Sequence, residues 1–234
     1  RDPFGATLTP AAAAPAGARG QAPGAARGPA VLGLLLKYRP AGSGGGWADL
    51  APRGSKPEAS AAAGTVVYRS GGAPAPLAVT EIYKTDGRVL DWTIGLASTG
   101  AAAVEVGDLG IGVPAVGPSG ENPAQIFERG FLRHQFVSGH GSFFYFVRAS
   151  GAPPFLLVTV LPGTKLEYSS SGGGRGGVQV FVHSAASGGA ETRGTWRQAH
   201  TALTLAPAGR PESAATYGFR MQWAGSYEEL RDAL

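Results

Sequence analysis

A chain of 234 residues with 20 Lys and Arg against 16 Asp and Glu suits one large β domain or two small ones. It contains no cysteine, which excludes disulfides and thiolate metal centres, and no apolar run reaches the ~18 residues of a membrane-spanning helix. The net charge of +4 is scattered rather than gathered into a stripe, so it reads as a solvated surface, and neither nucleic acid nor membrane is expected as a partner.

Residues 1–30, "RDPFGATLTPAAAAPAGARGQAPGAARGPA", are too poor in large apolar side chains to offset their ordering entropy and predict a disordered tail or linker. From residue 31 the chain breaks into short runs rich in β-branched and aromatic residues. They are "VLGLLLKYR" (31–39), "TVVYRS" (65–70), "LAVTEIYKT" (77–85), "LDWTIGLAS" (90–98), "AAVEVGDL" (102–109), "SFFYFVRA" (142–149), "FLLVTVL" (155–161), "VQVFVHS" (178–184), "TALTLAP" (201–207) and "TYGFRMQWA" (216–224). Alternation places Leu90, Trp92, Ile94 and Leu96 on one face, and Tyr217, Phe219, Met221 and Trp223 on another. "TDGR" (85–88) is a hairpin turn, and the Gly/Ser-rich segments 41–46, 51–64 and 169–177 are loops. Ten such strands without a helical period predict an all-β antiparallel sandwich over 31–225. Only "SYEELRDAL" (226–234) has helical spacing, with Ser226 and Glu229 placed as a capping box. It predicts the start of a helix leading to a further domain.

Chemistry-bearing motifs are sparse. No HExxH or GxSxG spacing occurs, and "GGGRGG" (172–177) lies in a Gly/Ser tract without a strand-to-helix context for phosphate. No cofactor is implied. His134 and His140 sit six apart in "FLRHQFVSGHGSFFYF" (131–146), with His183 and His200 in other segments, a pattern more often structural than metal-binding. Glu105, Asp108, Glu121 and Glu128 are the carboxylates to weigh as a glycosidase acid and base, and Arg129 beside Glu128 favours a salt bridge over a raised pKa. Trp196, in the polar loop "GTWRQAHT" (194–201), is a candidate for stacking on a sugar ring.

The segments "EVGDLGIGVP" (105–114), 121–168, "VFVHS" (180–184), "GTWRQAHT" and "YGFRMQWAGSYEELRDAL" (217–234) follow one another as in a known family. Over roughly residues 77–234 the chain resembles the N-terminal β-sandwich, a domain of unknown function, of six-hairpin-glycosidase-like proteins. The resemblance implies a mutarotase-like supersandwich preceding an (α/α)6 barrel that carries the catalytic carboxylates. The expected function is a non-catalytic accessory domain of a glycoside hydrolase-like enzyme, with that barrel as its partner. A stand-alone carbohydrate-binding module for an oligo- or polysaccharide is the second reading. A small mutarotase-like enzyme using the His134, His140 and Glu128 region is the third. Carbohydrate or interdomain contacts are expected from Glu128, Arg129, Arg133, His134, His140, Trp196 and His200. The compartment is left open, extracellular or secretory being compatible with the absence of cysteine.

Overall fold

The computed structural model describes residues 33–50, 58–60, 63–72, 75–113, 122–170, 178–188 and 200–234. The tail expected over 1–30, Glu121, Trp196 and the side chain of Arg129 lie outside the described residues. In chain order the first half forms β1 (Gly33–Pro40), β2 (Ala48–Asp49), β3 (Glu58–Ser60), β4 (Thr65–Gly71), β5 (Leu77–Asp86), β6 (Val89–Ser98) and β7 (Val104–Val113). Then come α1 (Pro123–Arg129), β8 (Phe131–Phe136), β9 (Phe143–Arg148), β10 (Phe155–Val160), β11 (Tyr168–Ser170), β12 (Val178–Ser184), α2 (Ala185–Gly188), β13 (Leu203–Leu205), β14 (Ala214–Ala224) and α3 (Tyr227–Asp232).

Two antiparallel sheets result. One runs β11-β12-β7-β1-β2, with β13 also on β7; the other runs β3-β4-β5-β6-β14-β10-β9-β8. The alternation read from the sequence is what makes them a sandwich. Trp92, Ile94 and Leu96 of β6 and Phe219 and Met221 of β14 pack in one core with Val106, Leu109 and Ile111 of β7 and Val178, Val180 and Val182 of β12. The outward residues are polar. Arg220, directly opposite Asp91 across the β6–β14 ladder, binds it with Nε and Nη2 at 2.7 and 2.8 Å. These two bonds hold the Asp91 carboxyl below its ordinary pKa.

β7 is shared end to end: β12 pairs with its residues 108–113 and β13 with 104–106. At Gly110 of β7, an added Cβ would meet the Val180 carbonyl oxygen and lie 2.8 Å from Cδ1 of Phe181, so β12 packs where only glycine fits. Gly110→Ala is therefore expected to cost about 3 kcal/mol, because backbone rather than a flexible side chain would have to give way. A denaturation midpoint equal to that of the unmutated protein would contradict this.

β9 is apolar on both faces, as its sequence requires. Phe144 and Phe146 enter the inter-sheet core, while Val147 joins Phe155, Ala224 and Leu230 in a second cluster under α3. Ser226 caps α3 by accepting from Glu229 N at 3.1 Å. The reciprocal half of the expected box is displaced by one residue: the Glu229 carboxylate takes the Gly225 N–H at 2.7 Å. The sequence reading placed no helix near 125, and α1 corrects it. Asn122 accepts from Gln125 N, Gln125 Oε1 accepts from Asn122 N, and Pro123 starts the helix. Seven residues are too few for a hydrophobic period, so only the cap betrays it.

Candidate functional site at one end of the sandwich

Where β12 leaves β7 at Ser184, the chain returns at Thr201, whose carbonyl accepts from Ser184 N at 3.2 Å. The two sheets part beside this junction and leave an open cleft of about 620 Å³. Its walls are Phe136–Gly139 at the end of β8, Gly163 and Lys165–Glu167 before β11, Val182 and His183 of β12, Thr201, and Tyr217 of β14. β12 carries a register shift between Phe181 and His183, so two of its residues oppose one of β7. Such bulges re-aim side chains, and this one sits where His183 meets the opposite sheet.

One hydrogen-bond network spans the cleft. Glu167 Oε1 accepts from Ser184 Oγ at 2.6 Å and from Thr201 N at 2.8 Å, and Oε2 accepts from Thr201 Oγ1 at 2.6 Å. An ionised carboxylate only accepts, which sets every other proton. Thr201 has given its hydroxyl hydrogen to Glu167, so its oxygen, 3.0 Å from His183 Nδ1, accepts from that nitrogen. His183 Nε2 is then the bare nitrogen and accepts from the Tyr217 hydroxyl at 2.8 Å, joining the two sheets. By the same logic His200, 2.9 Å from Ser184 Oγ, carries its proton on Nδ1. Its buried Nε2 has no partner among the described residues. The His200 ring occupies the space that a Cβ on Gly188 would need, which ties the residue type at 188 to the network.

The electrostatics agree with these proton positions. Burial lowers the His183 pKa below its ordinary 6.5 against an opposing pull from Glu167, so the ring is held neutral. Burial raises the Tyr217 pKa, which keeps its hydroxyl a donor. The unfolded chain binds more protons than the folded one once pH drops below 6.5. His183 thus contributes stability that is complete above that pH and is lost as pH falls below it. We expect the denaturant midpoint to fall between pH 7 and pH 5 more steeply in the unmutated protein than in His183→Gln. Equal slopes would show that His183 does not titrate differently on folding.

The residues singled out from sequence lie mostly elsewhere. Glu128 is exposed on α1. Arg133 and His134 are exposed on edge strand β8, where His134 stacks on Tyr145 at 4.8 Å across the ladder. His140 bonds the Thr164 carbonyl at 3.1 Å and braces the turn behind the cleft rim. None of these four lines the cleft. His200 alone joins its network. Glu105 is tied to Arg39 at 2.6 Å, and buried Asp108 accepts from Ser187 N and Oγ at 2.9 and 2.6 Å, so both carboxylates hold structure. Among the described residues no three His, Asp or Glu side chains converge as a metal centre. Sequence reasoning missed Glu167, Thr201 and Tyr217 because they come from three segments that only the fold brings together. The one local signal was a histidine at the polar end of the apolar run "VQVFVHS".

No protein-family model and no curated protein matches the sequence. Solved structures do resemble the chain. A polysaccharide lyase superposes with a TM-score of 0.60 at 12% identity, over 86% of this chain and 27% of its own. The GH36 α-galactosidase AgaA of Geobacillus stearothermophilus gives 0.44 at 11%, over 86% and 30%. A galactose mutarotase related enzyme from Lactobacillus acidophilus gives 0.36 at 10%, over 77% and 73%. These identities speak to fold alone. The fold is the all-β antiparallel sandwich expected from the sequence, and this chain spans about a quarter of the lyase's length.

Proposed function

We propose that the chain is the accessory β-sandwich of a larger carbohydrate-active enzyme of the six-hairpin-glycosidase-like kind, packing against a catalytic domain of the same polypeptide. The observation that carries this reading is the outer face at β8. Leu132 and Phe136 are 51% and 52% exposed there, opposite Val147 and Phe143 of β9, and Ile126 and Phe127 of α1 are 40% and 58% exposed. A strand edge and a helix that leave four large apolar side chains in water expose the kind of surface that a partner covers. Arg133, His134 and Glu128 stand within or beside this surface, and in this reading they make interdomain contacts rather than do chemistry. The fold's correspondence to only 27% of a polysaccharide lyase fits a domain of a longer enzyme.

The 234-residue chain on its own is expected to bind a hydrophobic dye and to self-associate with rising concentration, and Leu132→Lys with Phe127→Ser is expected to abolish both. A chain that stays monomeric and binds no dye would overturn the docking role.

A further inference from the structure

The end cleft presents polar groups whose hydrogen-bonding direction is already set. Tyr217 has given its only hydroxyl hydrogen to His183, so toward the cleft its oxygen can only accept. Lys165, exposed on the cleft wall and in no ion pair among the described residues, can only donate. Glu167, also on the wall, already accepts three hydrogen bonds, two on Oε1 and one on Oε2, of about four that a carboxylate can take. The cleft thus offers Tyr217 Oη as an acceptor and Lys165 as a donor, beside the Ser138 hydroxyl and the apolar surfaces of Phe136 and Val137. Its Lys165 and Glu167 charges offset one another. Its volume lies within the roughly 300–1,000 Å³ of ligand pockets.

We propose that this cleft is a saccharide subsite, in which Tyr217 Oη accepts from a hydroxyl of an uncharged sugar unit while the Lys165 ammonium donates to a neighbouring sugar oxygen. Adjacent ring hydroxyls supply a donor and an acceptor side by side, and the C–H face of a pyranose suits the apolar wall. That the ligand is a saccharide rests on the carbohydrate-active reading above; the polarity of the site follows from the network alone. His183 is the switch for that polarity. Thr201 and Tyr217 touch it directly, Glu167 acts through Thr201, His200 lies beyond Ser184, and Lys165 is the cleft's cation. Once protonated, His183 Nε2 becomes a donor, Tyr217 must accept from it, and the tyrosine hydrogen turns into the cleft. A ligand matched to an accepting Tyr217 is then mismatched.

The test is an NMR titration of the 234-residue chain at pH 7.5 with cellotetraose, maltotetraose, mannotetraose and tetragalacturonate. We expect at least one neutral tetrasaccharide to shift the amides of Ser138, Gly139, Gly163 and Thr201. Tyr217→Phe and Lys165→Met should each weaken that binding about tenfold, and protonating His183 at low pH should weaken it in the unmutated protein. Should Tyr217→Phe fail to fold, the exposed Lys165 still decides. Two results would overturn the subsite: no neutral sugar binds, whether or not tetragalacturonate does, or the variants that fold bind as the unmutated protein does. A large native polypeptide with a silent cleft would remove the subsite and leave the docking role standing.

Discussion

Trp92→Ala should cost about 3–5 kcal/mol and lower the melting temperature by roughly 10 °C or more. Trp92 is fully buried between the sheets, stacked on Tyr83 with ring centroids 5.0 Å apart and tilted against Phe219 at 6.2 Å. Truncation removes the largest side chain of the inter-sheet core and leaves a void that strands fixed by their ladders cannot close. Trp92→Phe separates this packing effect from the indole's polarity. The indole Nε1 is buried and has no hydrogen-bond partner among the described residues, so phenylalanine removes an unsatisfied donor along with some volume. We expect a loss of about 1–2 kcal/mol, well below that of alanine. Equal losses from the two variants in calorimetry would mean that ring volume is not what holds the sheets together.

Glu167→Ala is the second large effect, and it falls on the site. One carboxylate fixes Ser184, the Thr201 amide and the Thr201 hydroxyl, and through them the proton positions of His183 and His200. Removing it leaves three donors without their acceptor in a partly buried junction. A cost of about 2–4 kcal/mol follows, less than three independent charge-assisted bonds because water reaches part of the network. Glu167→Gln keeps one carbonyl oxygen but points an N–H₂ at a hydroxyl, so it should lie between alanine and the native residue. The His183 pH dependence should also change in both variants, since Thr201 is freed to accept or donate. A Glu167→Ala protein as stable as the native one, with an unchanged His183 titration, would show that the network forms without its anchor.

The sandwich was legible in the sequence because period-two alternation is a local signal. The faces read for β6 and β14 are the faces that pack, and the β5–β6 hairpin closes with Asp86 opposite Val89. What escaped notice was short or non-local, except the six-residue edge strand β8 (Phe131–Phe136), which was not among the strands read. β2, β3 and β11 are two or three residues long, and α1 shows only its Asn122–Gln125 cap. The cleft was illegible for a stronger reason. Glu167, His183, Thr201 and Tyr217 span fifty residues and two sheets, and no spacing along the chain encodes their meeting. His134 and His140 drew notice because they are close in sequence, yet one stacks outside the sheet and the other braces a turn.

The most direct measurement is the mass of the native polypeptide in its source cells, detected with an antibody against the sandwich. A product several times larger than the 23.7 kDa of this chain is expected, with the sandwich as one domain packed on a catalytic neighbour. A native product of about 23.7 kDa would contradict that role and leave the sandwich to act alone.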